Sequence, residues 1–270
     1  MLSKIAAGNA EIECSLIVFD KNGTIVDQEL FLLSLAKARL QFLCEKTGTQ
    51  VADLWEKAVG TDLKNKNIDH NGPLATAPQR EEMLITASAI YQCGKSWRDA
   101  KKIAQEVYDH ADDSLKPSYG CVLLEGVAET LRLLKSNGLK LAIATTDSHK
   151  RTEEALRFLG VAHLFDVIIG GDDVENSKPS PDMVLKACKQ TGCTPDNVVV
   201  VGDSLSDMTM GRNAKAKKCI GVLTGFTSKK ELEQVADVVI NSVTELKIKN
   251  CHYSSICFRN ENDFSISQRI

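Results

Sequence analysis

The chain has 270 residues, of which 43% are hydrophobic and 26% are charged, and its formal net charge is −3. This length can bury a sizeable core, and the lack of a basic excess or a long Lys/Arg block argues against a nucleic-acid-binding surface. No segment is apolar over the length that a membrane span requires. We therefore expect a globular protein of one large or two modest domains, with neither nucleic-acid nor membrane partners.

The cysteines and the first residues of the chain bear on its location. Nine cysteines are scattered along the sequence, and none forms a C-x-x-C pair. Residues 1–14 include several charged side chains and lack the apolar run of a secretory signal. Both observations favour a cytoplasmic protein with reduced thiols.

Short runs of apolar and β-branched residues, most of them followed by Gly, Asp or Thr, recur along the chain. They lie at 15–19, 139–144, 167–169, 198–201, 220–223 and 238–240. Runs of this kind indicate parallel strands that are buried on both faces. Between them lie amphipathic stretches typical of helices, at 127–136, 149–159, 182–191 and 206–214. The alternation from about 120 to 245 predicts an α/β fold with a doubly wound, Rossmann-like parallel sheet.

Residues 27–119 interrupt this alternation. One apolar helical face is formed by Leu32, Leu35, Ala36, Leu40 and Leu43, and further helix-like segments lie at about 50–59, 79–92 and 97–113. A crossover between parallel strands needs only about a dozen residues. The extra length therefore predicts an inserted all-helical cap domain without strands, whose halves are separated by a loop at 70–73.

These patterns divide the chain into three parts. We expect the α/β core to comprise 1–26 and 120–250, and the cap to comprise 27–119. Residues 251–270 show no periodicity and are expected to be a C-terminal tail. In the cap, His70, Asn71 and Arg80 could reach a ligand, although solvated loop positions are the favoured interpretation.

Polar residues follow several of the predicted strands. Asp20, Thr145 and Asp203 occupy strand ends, Asp207 lies four residues after Asp203, and Lys178 lies in the loop after the third run. Ligands of open α/β sheets bind beyond the carboxyl ends of the strands, where these side chains would converge. Carboxylates brought together repel one another unless a cation compensates them. Oxygen ligands beside a lysine and a hydroxyl are typical of a Mg²⁺ and phosphate site.

Four segments resemble the motifs of haloacid dehalogenase superfamily phosphatases, in the order of that family. They are Asp20-Lys21-Asn22-Gly23-Thr24, Thr145 after its strand, Lys178-Pro179-Ser180-Pro181 and Gly202-Asp203-Ser204-Leu205-Ser206-Asp207. The helical insert resembles the cap of phosphoglycolate phosphatase-like members. The resemblance implies a phosphatase that acts on a small phosphorylated metabolite, and it leaves the substrate and the oligomeric state open.

The resemblance also implies a role for each matching residue. Asp20 would attack phosphorus and form an aspartyl-phosphate. Mg²⁺ would be bound by Asp20, the main-chain carbonyl of Asn22 and Asp203. The phosphoryl oxygens would be held by Thr145 and Lys178, and Asp207 would orient Lys178 or a water molecule. Other residues expected at the substrate are Gly23, whose backbone permits a close approach, Thr24 and Thr146.

Asn22 departs from the family pattern, which has a second Asp at this position. That Asp protonates the leaving oxygen and then activates water, and an amide can do neither. We expect a loss of about 10²–10⁴-fold, the range typical of general acid–base catalysis. The alternatives are a slowed hydrolase, a site for activated substrates, a non-catalytic phosphate-binding or sensing descendant, and a sugar-phosphate mutase. Dehalogenation is less favoured, because the acidic fourth motif and the Lys-Pro loop suit metal and phosphate.

Overall fold

A computed structural model describes residues 2–114 and 120–249 of the chain, and the side chains of 112–114 are not described. The predicted tail, 251–270, lies outside these residues. Eleven strands are present in the described part. In chain order they are β1 (Ser3–Ala7), β2 (Ala10–Cys14), β3 (Leu16–Phe19), β4 (Thr61–Asp62), β5 (Asn67–Ile68), β6 (Lys140–Ala144), β7 (Val167–Ile169), β8 (Val198–Gly202), β9 (Lys218–Val222), β10 (Val238–Ile240) and β11 (Lys247–Ile248).

Ten α-helices accompany the strands in the described residues. They are α1 (Gln28–Thr47), α2 (Ala52–Val59), α3 (Pro73–Thr76), α4 (Gln79–Gln92), α5 (Trp97–Ser114), α6 (Val127–Ser136), α7 (His149–Phe158), α8 (Asp182–Thr191), α9 (Leu205–Asn213) and α10 (Lys229–Val235). None of these helices is long and apolar enough to cross a lipid bilayer. Short 3-10 turns connect several of the elements.

The main sheet has six parallel strands in the order β10-β9-β8-β3-β6-β7. The central strand β3 pairs with β6 and β8, so that Phe19 is aligned with Ile143 on one side and Val201 on the other. All residues of β3 and β8 are buried, because helices cover both faces of the sheet. The predicted doubly wound parallel sheet is thus confirmed.

Alternate residues of the central strands contribute to two separate cores. Ile17 and Phe19 pack into a cluster on one face with residues of β1 and α6, whereas Leu16 and Val18 pack on the other face with residues of α8 and α9. This alternation follows from the two-residue period of a strand. Because all the strands are parallel, the residues after each strand lie at one edge of the sheet.

A second, antiparallel sheet has the order β11-β1-β2. The sequence analysis assigned no strand to 1–14. The signal was present, because exposed Glu11 and Glu13 alternate with buried Ile12 and Cys14. The apolar face of this sheet joins the core beside β10, where Ile5 belongs to the same cluster as Ile240.

The inserted segment forms a helical cap with its own apolar core, which includes Leu43, Trp55, Ile90 and Val107. The helical insertion is confirmed, but the prediction that it contains no strand is wrong. Strands β4 and β5 pair as a short antiparallel hairpin after α2 ends at Gly60, which has a left-handed backbone. Two residues per strand are too few to produce an alternating pattern. The boundaries 27–119 stay a prediction.

A buried polar network connects helices of the cap. Arg39 of α1 forms an ion pair with Glu82 of α4, and its guanidinium lies 4.0 Å from the ring centroid of Tyr108. Trp55 donates a hydrogen bond to the Thr86 hydroxyl at 2.8 Å, and that hydroxyl lies 3.1 Å from the Tyr108 hydroxyl. All five side chains are buried. The cap is therefore held together by polar as well as apolar contacts.

Candidate active site

Lys178 lies between two carboxylates at the carboxyl edge of the main sheet. Its Nζ is 2.5 Å from Asp20 Oδ1 and 2.7 Å from Asp207 Oδ1. Asp20 directly follows β3, and its amide donates to the carbonyl of Val201 at the end of β8. The Lys178 side chain is only 3% exposed. The fold therefore unites three charged residues that are far apart in sequence.

Asp203 completes the acidic cluster. One carboxylate oxygen from each of Asp20, Asp203 and Asp207 lies within 4.8 Å of the others. Thr24 donates a hydrogen bond to Asp203 Oδ1 at 3.3 Å. Asp207 accepts a hydrogen bond from the Ser204 hydroxyl at 2.6 Å and closes a capping box at the start of α9. The helix start thereby holds Asp207 toward Lys178.

The charges in this cluster do not balance. Burial, with the neighbouring Asp207, raises the pKa of Asp20 to about 6 despite the attraction of Lys178. Burial, together with the neighbouring carboxylates of Asp20 and Asp207, raises the pKa of Asp203 well above its usual range. Burial opposes the charged form of Lys178, but the two carboxylates outweigh it and raise its pKa. Three carboxylates around one ammonium leave an excess of negative charge that a divalent cation would compensate.

The loop after β3 brings further oxygen atoms to the cluster. Gly23 has a φ of +77°, and a Cβ there would lie 2.6 Å from Gln28 Oε1 and 2.7 Å from Asp203 Oδ2. Only glycine accommodates both this conformation and this approach. Within the described residues, Gln28 Oε1 and Asn22 Oδ1 are buried without a hydrogen-bond partner. Hard oxygen donors of this kind fit Mg²⁺. The ligands expected from the sequence are the carboxylates of Asp20 and Asp203 and the main-chain carbonyl of Asn22.

Asn22 and Lys21 both face Asp147, a residue that the sequence analysis missed. Asn22 Nδ2 donates to Asp147 Oδ2 at 3.4 Å, and Lys21 forms a partly buried ion pair with the same carboxylate. Burial opposes ionisation of Asp147, but Lys21, Arg151 and Asn22 together outweigh it and lower the pKa. The Lys21 ammonium also lies 5.6 Å from the ring centroid of Phe31 in the cap. The available signal was the position of Asp147, three residues after β6.

Thr145 and Thr146 occupy different environments. Thr145 is buried directly after β6, and its hydroxyl accepts a hydrogen bond from the Asp147 amide at 3.3 Å. Thr146 is exposed, and its carbonyl is close enough to Gly171 that a Cβ there would lie 2.6 Å away. Contact of either threonine with a phosphoryl group stays a prediction.

The loop after β9 is a second feature that the sequence analysis missed. The Thr224 hydroxyl donates to the Gly23 carbonyl at 2.5 Å, and a Cβ on Gly225 would overlap the Asp203 carboxylate. Phe226 packs against the apolar core of the cap and stacks on His70, with ring centroids 4.1 Å apart and an interplanar angle of 23°. The signal was a Thr-Gly pair at a strand end.

The three cap residues considered from the sequence are all exposed. His70 is exposed but contacts Phe226 of the core. Asn71 is exposed, and its main-chain N–H donates to Asp69 Oδ1 within the same loop. Arg80 lies in a groove on the cap surface that Leu84 and Lys101 also line.

Comparisons with known proteins agree with this geometry. Residues 17–222 match the model of a family described as haloacid dehalogenase-like hydrolase. Phosphoglycolate phosphatase of Escherichia coli K12 is 35% identical over 243 residues, which cover 85% of this chain and 90% of that protein. Pyrophosphatase PpaX of Halalkalibacterium halodurans is 29% identical over 212 residues, which cover 77% of this chain and 84% of that protein.

A solved structure shows the same fold. The HAD family hydrolase from Deinococcus radiodurans R1, crystallised with bound phosphate and sodium, is 22% identical with a TM-score of 0.61, over 86% of this chain and 93% of that one. The family match, residues 17–222, spans most of the chain and includes all four motifs. The chain therefore belongs to the haloacid dehalogenase-like hydrolase family.

Proposed function

We propose that this chain is a Mg²⁺-dependent phosphomonoester hydrolase that acts on a small phosphorylated metabolite through an aspartyl-phosphate on Asp20. The observation that carries the proposal is the Lys178 ammonium held between Asp20 and Asp207, beside Asp203, at the ends of the central strands. The names of the relatives, a phosphoglycolate phosphatase and a pyrophosphatase, support a phosphate ester or anhydride as substrate. The cytoplasmic location stays a prediction.

We infer that Asp20 acts as the nucleophile. Burial raises its pKa to about 6, which is still below neutral pH, and Lys178 opposes this rise and binds one of its oxygens. A bond forms between an Asp20 oxygen and phosphorus, while the bond from phosphorus to the leaving oxygen breaks and that oxygen takes a proton from solvent water. The oxygen of a second water then bonds to phosphorus and gives a proton to solvent, while the bond between phosphorus and Asp20 breaks. This step releases inorganic phosphate and regenerates the Asp20 carboxylate.

The surrounding groups stabilise the charge on the transferring phosphoryl group. Lys178 would donate to a phosphoryl oxygen as a point charge, and Asp207, 2.7 Å away, keeps its ammonium in place. When bound, Mg²⁺ would add positive charge next to those oxygens, held by Asp20, the Asn22 carbonyl and Asp203. The remaining proposed substrate contacts are made by Thr24, Thr145, Thr146 and the Gly23 backbone.

Asn22 is the reason to expect slow turnover. Its amide cannot transfer a proton in the useful pH range, whereas the Asp usual in this family can. The amide does suit its neighbour, because it donates to Asp147. An Asp at position 22 would bring two carboxylates together, and a like charge raises the pKa of a carboxyl group. A carboxyl group shifted in that direction is a better general acid near neutral pH.

The test is the variant Asn22→Asp, assayed on two substrates. An alkyl phosphate such as phosphoglycolate releases an alkoxide that requires a proton, whereas p-nitrophenyl phosphate releases a stable phenolate. We expect the variant to raise turnover of the alkyl phosphate by about 10³–10⁴-fold, and formation of the aspartyl-phosphate from the aryl phosphate by much less. Asn137→Asp is the matched control, because it makes the same change between α6 and β6, at the opposite edge of the main sheet, and should alter neither rate.

Single-turnover kinetics give an independent readout on the unsubstituted chain, which carries Asn22. Without a base to activate water, p-nitrophenyl phosphate should produce a burst of phenolate and leave phosphate covalently bound to Asp20. Intact-protein mass spectrometry detects this adduct. Equal rescue of both substrates by Asn22→Asp would show that position 22 is not the acid–base position. Phosphate binding without turnover in either form would favour a binding or sensing module, and rearrangement of a sugar phosphate without phosphate release would favour a mutase.

A further inference from the structure

The cap and the catalytic edge meet at a three-residue segment after β9, formed by Thr224, Gly225 and Phe226. Each residue contacts a different partner. Thr224 donates to the carbonyl of Gly23 in the nucleophile loop at 2.5 Å. Gly225 lies against the carboxylate of Asp203, where any Cβ would overlap it. The first two residues therefore tie the segment to the catalytic edge.

The third residue extends to the cap. Phe226 belongs to the core domain by its position in the chain, yet it packs against the apolar cluster of the cap. Its ring stacks nearly parallel on His70, at a centroid distance of 4.1 Å. Stacked aromatic pairs contribute beyond the area that they bury. His70 lies between β5 and α3, in a cap loop that is otherwise exposed at Asp69 and Asn71.

We propose that Phe226 is a positioning residue, which holds the His70 loop of the cap against the catalytic edge and thereby determines how tightly the leaving-group half of the substrate is bound. The proposal rests on the phosphatase function proposed above. In that proposed function, Lys178 and the nucleophile loop hold the phosphoryl half of the substrate, whereas Phe226 packs against the cap. Loss of the stack should therefore weaken the contacts made from the cap and spare those made from the core.

Kinetics separate this role from a general structural one. Phe226→Ala should raise the KM for phosphoglycolate about tenfold, with kcat changed less than twofold. The Mg²⁺ dissociation constant from calorimetry and the inhibition constant of inorganic phosphate, which has no leaving group, should change less than twofold. Phe226→Tyr keeps the ring and should restore KM. Phe158→Ala removes an exposed phenylalanine from α7 and should change none of these quantities.

A double-mutant cycle tests the partner. If the stack is the operative contact, His70→Ala should raise KM by about two- to tenfold, and adding it to Phe226→Ala should cause little further loss. His70→Phe should preserve the stack and the natural KM. Independent, multiplicative effects of the two alanine substitutions would overturn the proposal, as would a loss of Mg²⁺ affinity equal to the rise in KM.

Hydrogen exchange provides a readout that requires no turnover. Amides of 61–77 in the cap should exchange faster in Phe226→Ala than in the natural chain, while those of the main sheet stay unchanged. If Phe226→Ala does not fold, Phe226→Leu keeps apolar packing but not the stack and should show the same local change. Unchanged exchange in 61–77 would overturn the positioning role of Phe226. This outcome can be observed whether the chain is a phosphatase or a phosphate-binding module. Failure of the positioning role is therefore distinct from failure of the proposed phosphatase function.

Discussion

Replacement of Lys178 by methionine measures the charge imbalance of the catalytic site. The Lys178 side chain is 3% exposed, and its ammonium contacts Asp20 and Asp207. The Asp207 side chain is only 1% exposed. Lys178→Met keeps the length of the side chain but leaves two buried carboxylates without their counter-charge. Breaking a buried ion pair by removing one partner costs about 3–5 kcal/mol. We expect a loss of this size in the free energy of unfolding at pH 8 without metal.

The loss should depend on pH in a defined direction. The pKa of Asp20 is raised to about 6 from 3.8, so this carboxyl binds a proton more tightly in the folded than in the unfolded protein. Its favourable contribution is therefore present at low pH and disappears as the pH rises through about 6. Because Lys178 opposes this upward shift, its removal moves the pKa still higher. The destabilisation by Lys178→Met should thus be smaller at pH 5 than at pH 8.

Urea unfolding in the presence of a chelator measures both values. Lys135→Met is the matched control, because Lys135 pairs with Asp166 at 2.6 Å with both side chains 32% exposed. Such a pair contributes less than about 1 kcal/mol. An equal loss at pH 5 and pH 8, or a loss no larger than that of Lys135→Met, would refute the charge balance described for this site.

Two further predictions concern the metal and the cap. Mg²⁺ binding must displace protons from Asp20 and Asp203, because the pKa values of both carboxyl groups are raised. The affinity for Mg²⁺ should therefore rise as the pH increases through about 6. Calorimetry in buffers of different ionisation enthalpy measures the released protons, and a pH-independent affinity would contradict the assignment of these ligands. Glu82→Gln removes the carboxylate that pairs with the buried Arg39 guanidinium. In urea unfolding, this change should lower the free energy of unfolding by about 3–5 kcal/mol. Glu153→Gln is the control in an exposed pair and should lower it by less than about 1 kcal/mol.

The core strands were predictable because their signals are local. A strand buried on both faces has to be apolar at every position, and the valines of β8 and the run of β3 satisfy this condition within four or five residues. Residues 10–14 carried an equally local alternation that the sequence analysis did not use. The hairpin of β4 and β5 offered no such signal, since it is held by two pairs of residues at a turn with a positive φ at Lys66.

The candidate site was predictable in outline for a different reason. Parallel strands place their carboxyl ends at one edge, so a polar residue after each strand could be assigned to a common site without knowing any contact. Asp20 and Asp203 follow this rule directly. Asp147 and Phe226 lie three and four residues beyond their strands, where the direction of the chain depends on the loop and no longer on the strand.

The sequence by itself determined the alternation of the six main-sheet strands with helices, the presence of a helical insertion and the edge at which the charged residues gather, because periodicity and strand ends are local properties. Tertiary structure alone decided the partners. Lys178 lies between Asp20 and Asp207, Asn22 donates to Asp147, and Phe226 of the core stacks on a histidine of the cap. These contacts join residues remote in sequence, and they form because packing of the whole chain sets which side chains share a buried volume.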